Sequence, residues 1–171
     1  MKAIFLDVDG VLNNKIFLKK RKIILKENKG IYIPRLDDKN FIALKTLVER
    51  TGAKIILSSY WRYYFDKNLM PNNNNSHNHG QDLTLKLRKH NLSLKDKTST
   101  DLTRFQKRGD IIKEYLHTHE DIDNFVILDD DNIMKEFTDT NLVQTKPEYG
   151  LTMSDVKKAE NILNKTKVKK L

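Results

Sequence analysis

Short apolar runs alternate with helix-period segments along this chain. Residues 3–6, "AIFL", form a four-residue apolar run that reads as a buried strand. In "DDKNFIALKTLVERTG", Phe41, Leu44, Leu47 and Val48 share one helical face, with Asp37 or Asp38 as N-cap and Gly52 as the stop. "AKIILSS" is a second apolar run, ending in Ser58 and Ser59. "RGDIIKEYLHTH" puts Ile111, Ile112, Tyr115 and Leu116 on one face, as a helix does. "NFVILDDDN" is a third apolar run, halted by carboxylates, and "NLVQT" reads as a fourth strand. "SDVKKAENILNK" is a final helix with Ser154 as its N-cap. No internal repeat is visible. Strands alternating with helices predict an α/β fold whose mainly parallel sheet is covered on both faces.

Two segments interrupt this alternation. Residues 14–34 hold three short apolar runs, "IFL", "IIL" and "IYI", with "ENKG" as a turn signal, so they are expected to form a hairpin. Lys15, Lys19, Lys20, Arg21, Lys22, Lys26 and Lys29 crowd this stretch against one acid, Glu27. It reads as a basic flap over whatever site lies beneath, with a merely solvated hairpin as the plainer alternative. Residues 63–103 are expected to hold a helix around 82–90 and an Asn-rich loop carrying His77 and His79. Neither insertion is long enough for a separate cap domain. Residues 1–171 are therefore expected to be one domain with only small cap insertions and a fairly open site. Such a site suits a macromolecular end better than a sealed-in metabolite.

Composition narrows the chemistry. With 38% apolar and 32% charged residues, the chain is in the range of soluble globular proteins. It has no cysteine, which excludes disulfides and thiolate metal sites, and its five histidines form no metal signature. No apolar run is long enough to span a membrane, and the N-terminus is a poor signal peptide, so a cytoplasmic location is expected. The formal charge of +9 adds weight to an anionic partner.

Three apolar runs end in polar residues on their C-terminal side: Asp7 and Asp9, Ser58 and Ser59, and Asp129 to Asp131. In an open α/β sheet, ligands bind in the crevice beyond the carboxyl ends of the strands. Carboxylates at such a place need a partner, because burying them unpaired is costly. A hard divalent cation is the natural one, and oxygen ligands suit magnesium.

These residues resemble the haloacid dehalogenase (HAD) superfamily. "FLDVDGVLN" is similar to its first motif, "IILSS" to its second, "KRGDII" to its third and "VILDDDN" to its fourth, in order, from residue 3 to about 132. "SSYWR", "RGDIIKEYL", "ILDDD" and "LVQT…GLT" together resemble HAD domains associated with RNA-repair proteins. The resemblance implies a Rossmann-like three-layer sandwich and a magnesium-dependent phosphomonoester hydrolase. It implies Asp7 as nucleophile, forming an aspartyl-phosphate, and Asp9 as acid and then base. Magnesium would bind Asp7, the Asp9 backbone carbonyl and an acid from 129–131. Ser58 would bond a phosphoryl oxygen, and Arg108 would neutralise its charge.

Several positions stay open. Lys107 competes with Arg108 for the phosphate, with Arg108 favoured because it directly precedes the helix. Asp130 is the favoured metal ligand of its cluster, followed by Asp129 and then Asp131. Ser58 has a plainer role in ending a strand. Trp61 reads as a core anchor rather than a base-stacking platform, and Arg62 as a structural ion pair, with substrate contact as the alternative. Ser59, Lys19, Lys20, Arg21 and Lys22 are further candidate substrate contacts. The favoured substrates are RNA or DNA ends or nucleotides. The alternatives are a small-metabolite phosphatase and a catalytically silent, basic nucleic-acid-binding module, against which the intact Asp7 and Asp9 argue.

Overall fold

Strand β1 (Lys2–Leu6) lies at the centre of a five-stranded sheet, and the chain's apolar runs explain why. Its four apolar residues are all fully buried, Ile4 and Leu6 against one face of the sheet and Ala3 and Phe5 against the other. A strand that is apolar at consecutive positions must be covered on both sides. In this computed structural model, which describes residues 1–72, 78–100, 107–132, 134 and 136–165, the cover is supplied by helices.

The remaining strands are β2 (Lys54–Leu57), β3 (Leu94–Lys97), β4 (Asn124–Asp129) and β5 (Leu142–Gln144). They lie in the order β3-β2-β1-β4-β5, and every pair is parallel. One face carries α2 (Asp38–Thr51), α3 (His79–Lys89) and α5 (Met153–Leu163), through Phe41, Leu44, Leu83, Leu87, Val156 and Leu163. The other carries α4 (Arg108–Thr118), through Ile112 and Tyr115. Phe5 meets Tyr115 and Phe125 edge-to-face at 5.6 and 5.8 Å. This is the expected three-layer, Rossmann-like sandwich. No helix among the described residues is long and apolar enough to cross a membrane.

Local signals set several boundaries as expected. Asp37 caps α2 by accepting from the Lys39 N–H, and Gly52 ends it in the left-handed conformation at φ 67°. At α5 the cap is Thr152 rather than Ser154. The Thr152 hydroxyl accepts from the Asp155 N–H, and the Asp155 carboxylate returns to the Thr152 N–H, a reciprocal box that Ser154 has no partner to match.

Two expectations are corrected. Residues 15–27 form a helix, α1 (Lys15–Glu27), and not a hairpin. The runs "IFL" and "IIL" start seven residues apart, which is two helical turns, so Phe17, Leu18, Arg21 and Leu25 share the half-buried face. Asn14 caps the helix by accepting from the Phe17 N–H at 2.7 Å, and "ENKG" forms its exit. No α1 residue is fully buried. The second insertion contains β3, which went unforeseen because "LKDK" is a polar edge strand with no alternation to betray it. His79 begins α3 rather than lying in the loop, and His77 lies outside the described residues.

Candidate active site

The register of the sheet brings the three polar strand ends together. Leu6 of β1 stands opposite Leu57 of β2 and Leu128 of β4. Asp7, Ser58 and Asp129 are each the next residue, so one further rung places all three at the carboxyl edge. The backbone confirms the alignment: the Asp7 N–H donates to the Leu128 carbonyl at 2.9 Å, and the Ser58 N–H to the Leu6 carbonyl at 3.0 Å. With β2 on one side of β1 and β4 on the other, the chain reverses its order here, and that is where open α/β sheets bind ligands.

Asp7, Asp129 and Asp130 each offer a carboxylate oxygen within 4.8 Å of the others. Asp7 and Asp129 are buried and Asp130 is half-buried. Burial pushes the Asp7 carboxyl up to about 7, with Arg108 opposing the rise and Asp129 adding to it. Burial and the neighbouring Asp129 likewise raise Asp130. Gly10 makes room for this arrangement. Its φ is +73°, and a Cβ there would lie 2.4 Å from the Asp130 Cγ, so only glycine permits the approach.

Arg108, the first residue of α4, is the cation that faces the acids. Its Nη1 bonds Asp129 and lies 3.4 Å from the Asp7 Oδ1. Burial works against this charge, but Asp7 and Asp129 outweigh it and hold the guanidinium above its ordinary range. Lys107 is the exposed N-cap of α4. Of the two competitors, it is Arg108 that the structure brings to the acids. Among the described residues three carboxyl groups face the Arg108 guanidinium, and the all-oxygen donor set fits a hard divalent cation such as magnesium.

Ser58 is buried, and among the described residues nothing pairs with its hydroxyl. Leaving a buried hydroxyl unsatisfied costs about 1–3 kcal/mol. Ser59 differs: its hydroxyl accepts from the Trp61 N–H at 3.3 Å, and its side chain favours the ionised form of Asp7.

Asp9 stands apart from the three-acid cluster. It is exposed, and both carboxylate oxygens are held, Oδ1 by the Asn13 Nδ2 at 2.7 Å and Oδ2 by the Trp61 Nε1 at 2.8 Å. Asn13 is anchored in turn, its Oδ1 accepting from the Gly10 N–H at 2.9 Å. Trp61 sits in a short 3₁₀ helix, Tyr60–Tyr64, that follows Ser59. It is buried as expected of a core anchor, yet its indole N–H reaches the site, a role that sequence reasoning missed. Asn13, four residues after Asp9 in "DGVLNN", was missed too.

Among the described residues Arg62 bonds backbone carbonyls and makes no ion pair, contrary to expectation. Its buried guanidinium donates to the carbonyls of Ser59 at 3.0 Å, Ser99 at 3.1 Å and Ser58 at 3.4 Å. Backbone oxygens from the segments that follow β2 and β3 take the place of a carboxylate. On α1, Lys19, Lys20 and Lys22 are exposed, whereas the Arg21 Nε donates to the Ile33 carbonyl at 2.7 Å and ties the helix to its return segment. A groove of about 350 Å³ runs along α1, lined by Leu18, Arg21, Lys22, Leu25, Lys26 and Arg35, with no acid among them.

The family model for the HAD domain in Swiss Army Knife RNA repair proteins matches residues 3–156. Comparison with curated proteins and with solved structures returned no match.

Proposed function

The chain belongs to the family of HAD domains found in Swiss Army Knife RNA repair proteins, and from that premise we propose that it is a magnesium-dependent phosphomonoester hydrolase. One observation carries the reading. Asp7, Asp129, Asp130 and Arg108 meet at the switch point beside a buried serine hydroxyl that has no partner among the described residues. Acids for a metal, a cation for an anion and a free donor are what a bound phosphoryl group requires.

The reaction follows from the placement of these groups. An Asp7 carboxylate oxygen attacks phosphorus, the bond to the ester oxygen breaks, and Asp9 gives that oxygen its proton. Asp9, now ionised, takes a proton from water, which attacks the aspartyl-phosphate. The bond between phosphorus and Asp7 breaks, releasing inorganic phosphate and restoring both acids. The Asn13 and Trp61 donors keep the Asp9 carboxylate in one orientation through both steps. Arg108 and the Ser58 hydroxyl stabilise negative charge on the phosphoryl oxygens. Magnesium, held by Asp7, Asp129 and Asp130, would screen the repulsion between the nucleophile and the anionic phosphate.

The favoured substrates are phosphorylated RNA or DNA ends. Lysines exposed along α1 and the acid-free groove beside them support this, since phosphate chains are bound by releasing counterions from such surfaces. The test is phosphate release from a panel of phosphorylated oligonucleotides, mononucleotides and sugar phosphates, with magnesium or with chelator. Magnesium-dependent release, fastest from oligonucleotides, is expected. Preference for a sugar phosphate would point to a small-metabolite enzyme, and no release from any would remove the hydrolase reading.

A further inference from the structure

Beside the phosphate site two tyrosines stand in solvent with a geometry that the proposed chemistry leaves unused. A 3₁₀ helix has three residues per turn, so positions i and i+3 lie over one another. In Tyr60–Tyr64 this splits the side chains into two sets. Trp61 and Arg62 are buried, the first bonded to Asp9 and the second to the carbonyls of Ser58 and Ser59. Tyr60 and Tyr63 share the outer face, 65% and 37% exposed, with ring centroids 5.0 Å apart and planes tilted by 47°.

We propose that Tyr60 and Tyr63 form a stacking subsite for the nucleobase of the nucleotide whose phosphate occupies the site; this rests on the nucleic-acid reading above. Position is the first argument. Tyr60 is two residues beyond Ser58, so their Cα atoms are at most about 7 Å apart, the scale of a single nucleotide. The Arg62 guanidinium, 4.6 Å from the Tyr63 ring centroid, also donates to the Ser58 carbonyl at 3.4 Å, which ties the aromatic pair to the residue assigned to a phosphoryl oxygen. Rigidity is the second. Arg62 is anchored by three backbone carbonyls, lies 4.6 Å from the Tyr63 ring centroid and donates to the Tyr63 hydroxyl at 3.3 Å. The Tyr63 ring is thus held in place before any ligand arrives, over a cation that favours its π-face. Chemistry is the third. The pair contains no charge, so it suits the flat neutral part of a ligand whose anionic part is bound elsewhere. Every base has such a face, which makes the subsite tolerant of sequence.

The test is equilibrium binding to protein carrying Asp7→Asn, so that turnover does not consume the ligand. Two phosphorylated single strands are compared, identical except that one lacks the base on its phosphorylated nucleotide. The strand with its base is expected to bind more tightly. Replacing Tyr60 and Tyr63 together by leucine should weaken it about 5- to 150-fold, the range of one base stack, and leave the abasic strand unchanged. Tyr60→Leu alone alters only an exposed side chain and should give part of that loss. Phenylalanine at both positions should retain binding, because the ring is the active part. Equal loss on both strands, or no loss on either, would overturn the subsite while leaving the hydrolase reading intact. If the Asp7→Asn protein binds neither strand, the nucleic-acid reading falls and the subsite with it.

Discussion

The indole Nε1 of Trp61 donates a hydrogen bond of 2.8 Å to the Oδ2 of Asp9. The two residues come from the ends of neighbouring strands, β2 and β1, and only the sheet makes them neighbours. This contact gives Asp9 a fixed orientation although the residue itself is exposed. A flexible carboxylate on an open rim would be a poor proton donor, because geometry comes before acidity in proton transfer.

Trp61→Phe keeps the aromatic body and removes the donor. Its kcat/KM for an alkyl phosphate, whose leaving oxygen needs a proton, should fall about ten-fold, in line with the loss of a hydrogen bond to a charged group. The fall for p-nitrophenyl phosphate should be much smaller, since that leaving group departs without help. Equal losses on both esters would make Trp61 a packing residue only.

Asp7→Asn should abolish turnover, because the amide is nearly isosteric and a poor nucleophile. Asp9→Asn should be strongly impaired and accumulate phosphorylated protein, visible as a mass increase, wherever the leaving group can depart unaided. Normal turnover in either variant would remove the role assigned to that residue.

The raised Asp7 carboxyl has a consequence for stability. A group whose value rises from 3.8 unfolded to about 7 folded holds its proton longer in the folded state, so ionising it costs stability as pH climbs through that window. Metal-free wild-type protein should therefore lose thermal stability between about pH 4 and pH 7, and Asp7→Asn should melt higher than wild type at pH 8. The gap should narrow toward pH 5, and magnesium should raise the wild-type midpoint. A pH-independent gap in melting scans would contradict this electrostatic account.

Asp130→Ala and Asp129→Ala should differ. Asp130 is half-buried, and its loss should weaken magnesium binding with partial rescue of activity by excess metal. Asp129 is fully buried and bonded to Arg108; removing it deletes that bond and leaves Asp7 as the ion-pair partner of Arg108, and should cost about 1–3 kcal/mol of folding stability. Calorimetric metal titration and denaturant unfolding separate the two effects.

On α1, glutamine at Lys19, Lys20 and Lys22 should raise the KM for a phosphorylated single strand. It should also flatten the salt dependence of log KM by up to about two, given roughly 0.7 for each phosphate that a lysine no longer neutralises. Arg21 is left in place because it is tied to the Ile33 carbonyl. Turnover of a small phosphate ester should be unchanged. A loss on both substrates would make the helix part of the site's framework.

Much of this protein is legible along the chain because it depends on neighbours in sequence. The apolar runs ending in Asp7, Ser58 and Asp129 mark strands and their functional ends, and Asp37 and Gly52 mark a helix, since pleat, cap and left-handed turn are local requirements. The same local view failed where a segment's partners lie elsewhere. Residues 15–27 carry apolar runs compatible with either period; in the fold they form a helix whose Phe17, Leu18, Arg21 and Leu25 are half-buried and whose Arg21 bonds the Ile33 carbonyl, a contact with a segment beyond the helix. Polar β3 is a strand only because β2 presents an edge for it to pair with. Which basic residue faces the acids, Lys107 or Arg108, depends on the angle at which α4 meets the sheet, and the answer differs by one residue. Trp61 looks like a core residue because it is one; its N–H meets Asp9 because parallel pairing aligns Leu6 with Leu57 and carries the following residues into contact. Hydrogen bonds between side chains 52 positions apart leave no periodic trace in the sequence, so only the packed sheet can create them.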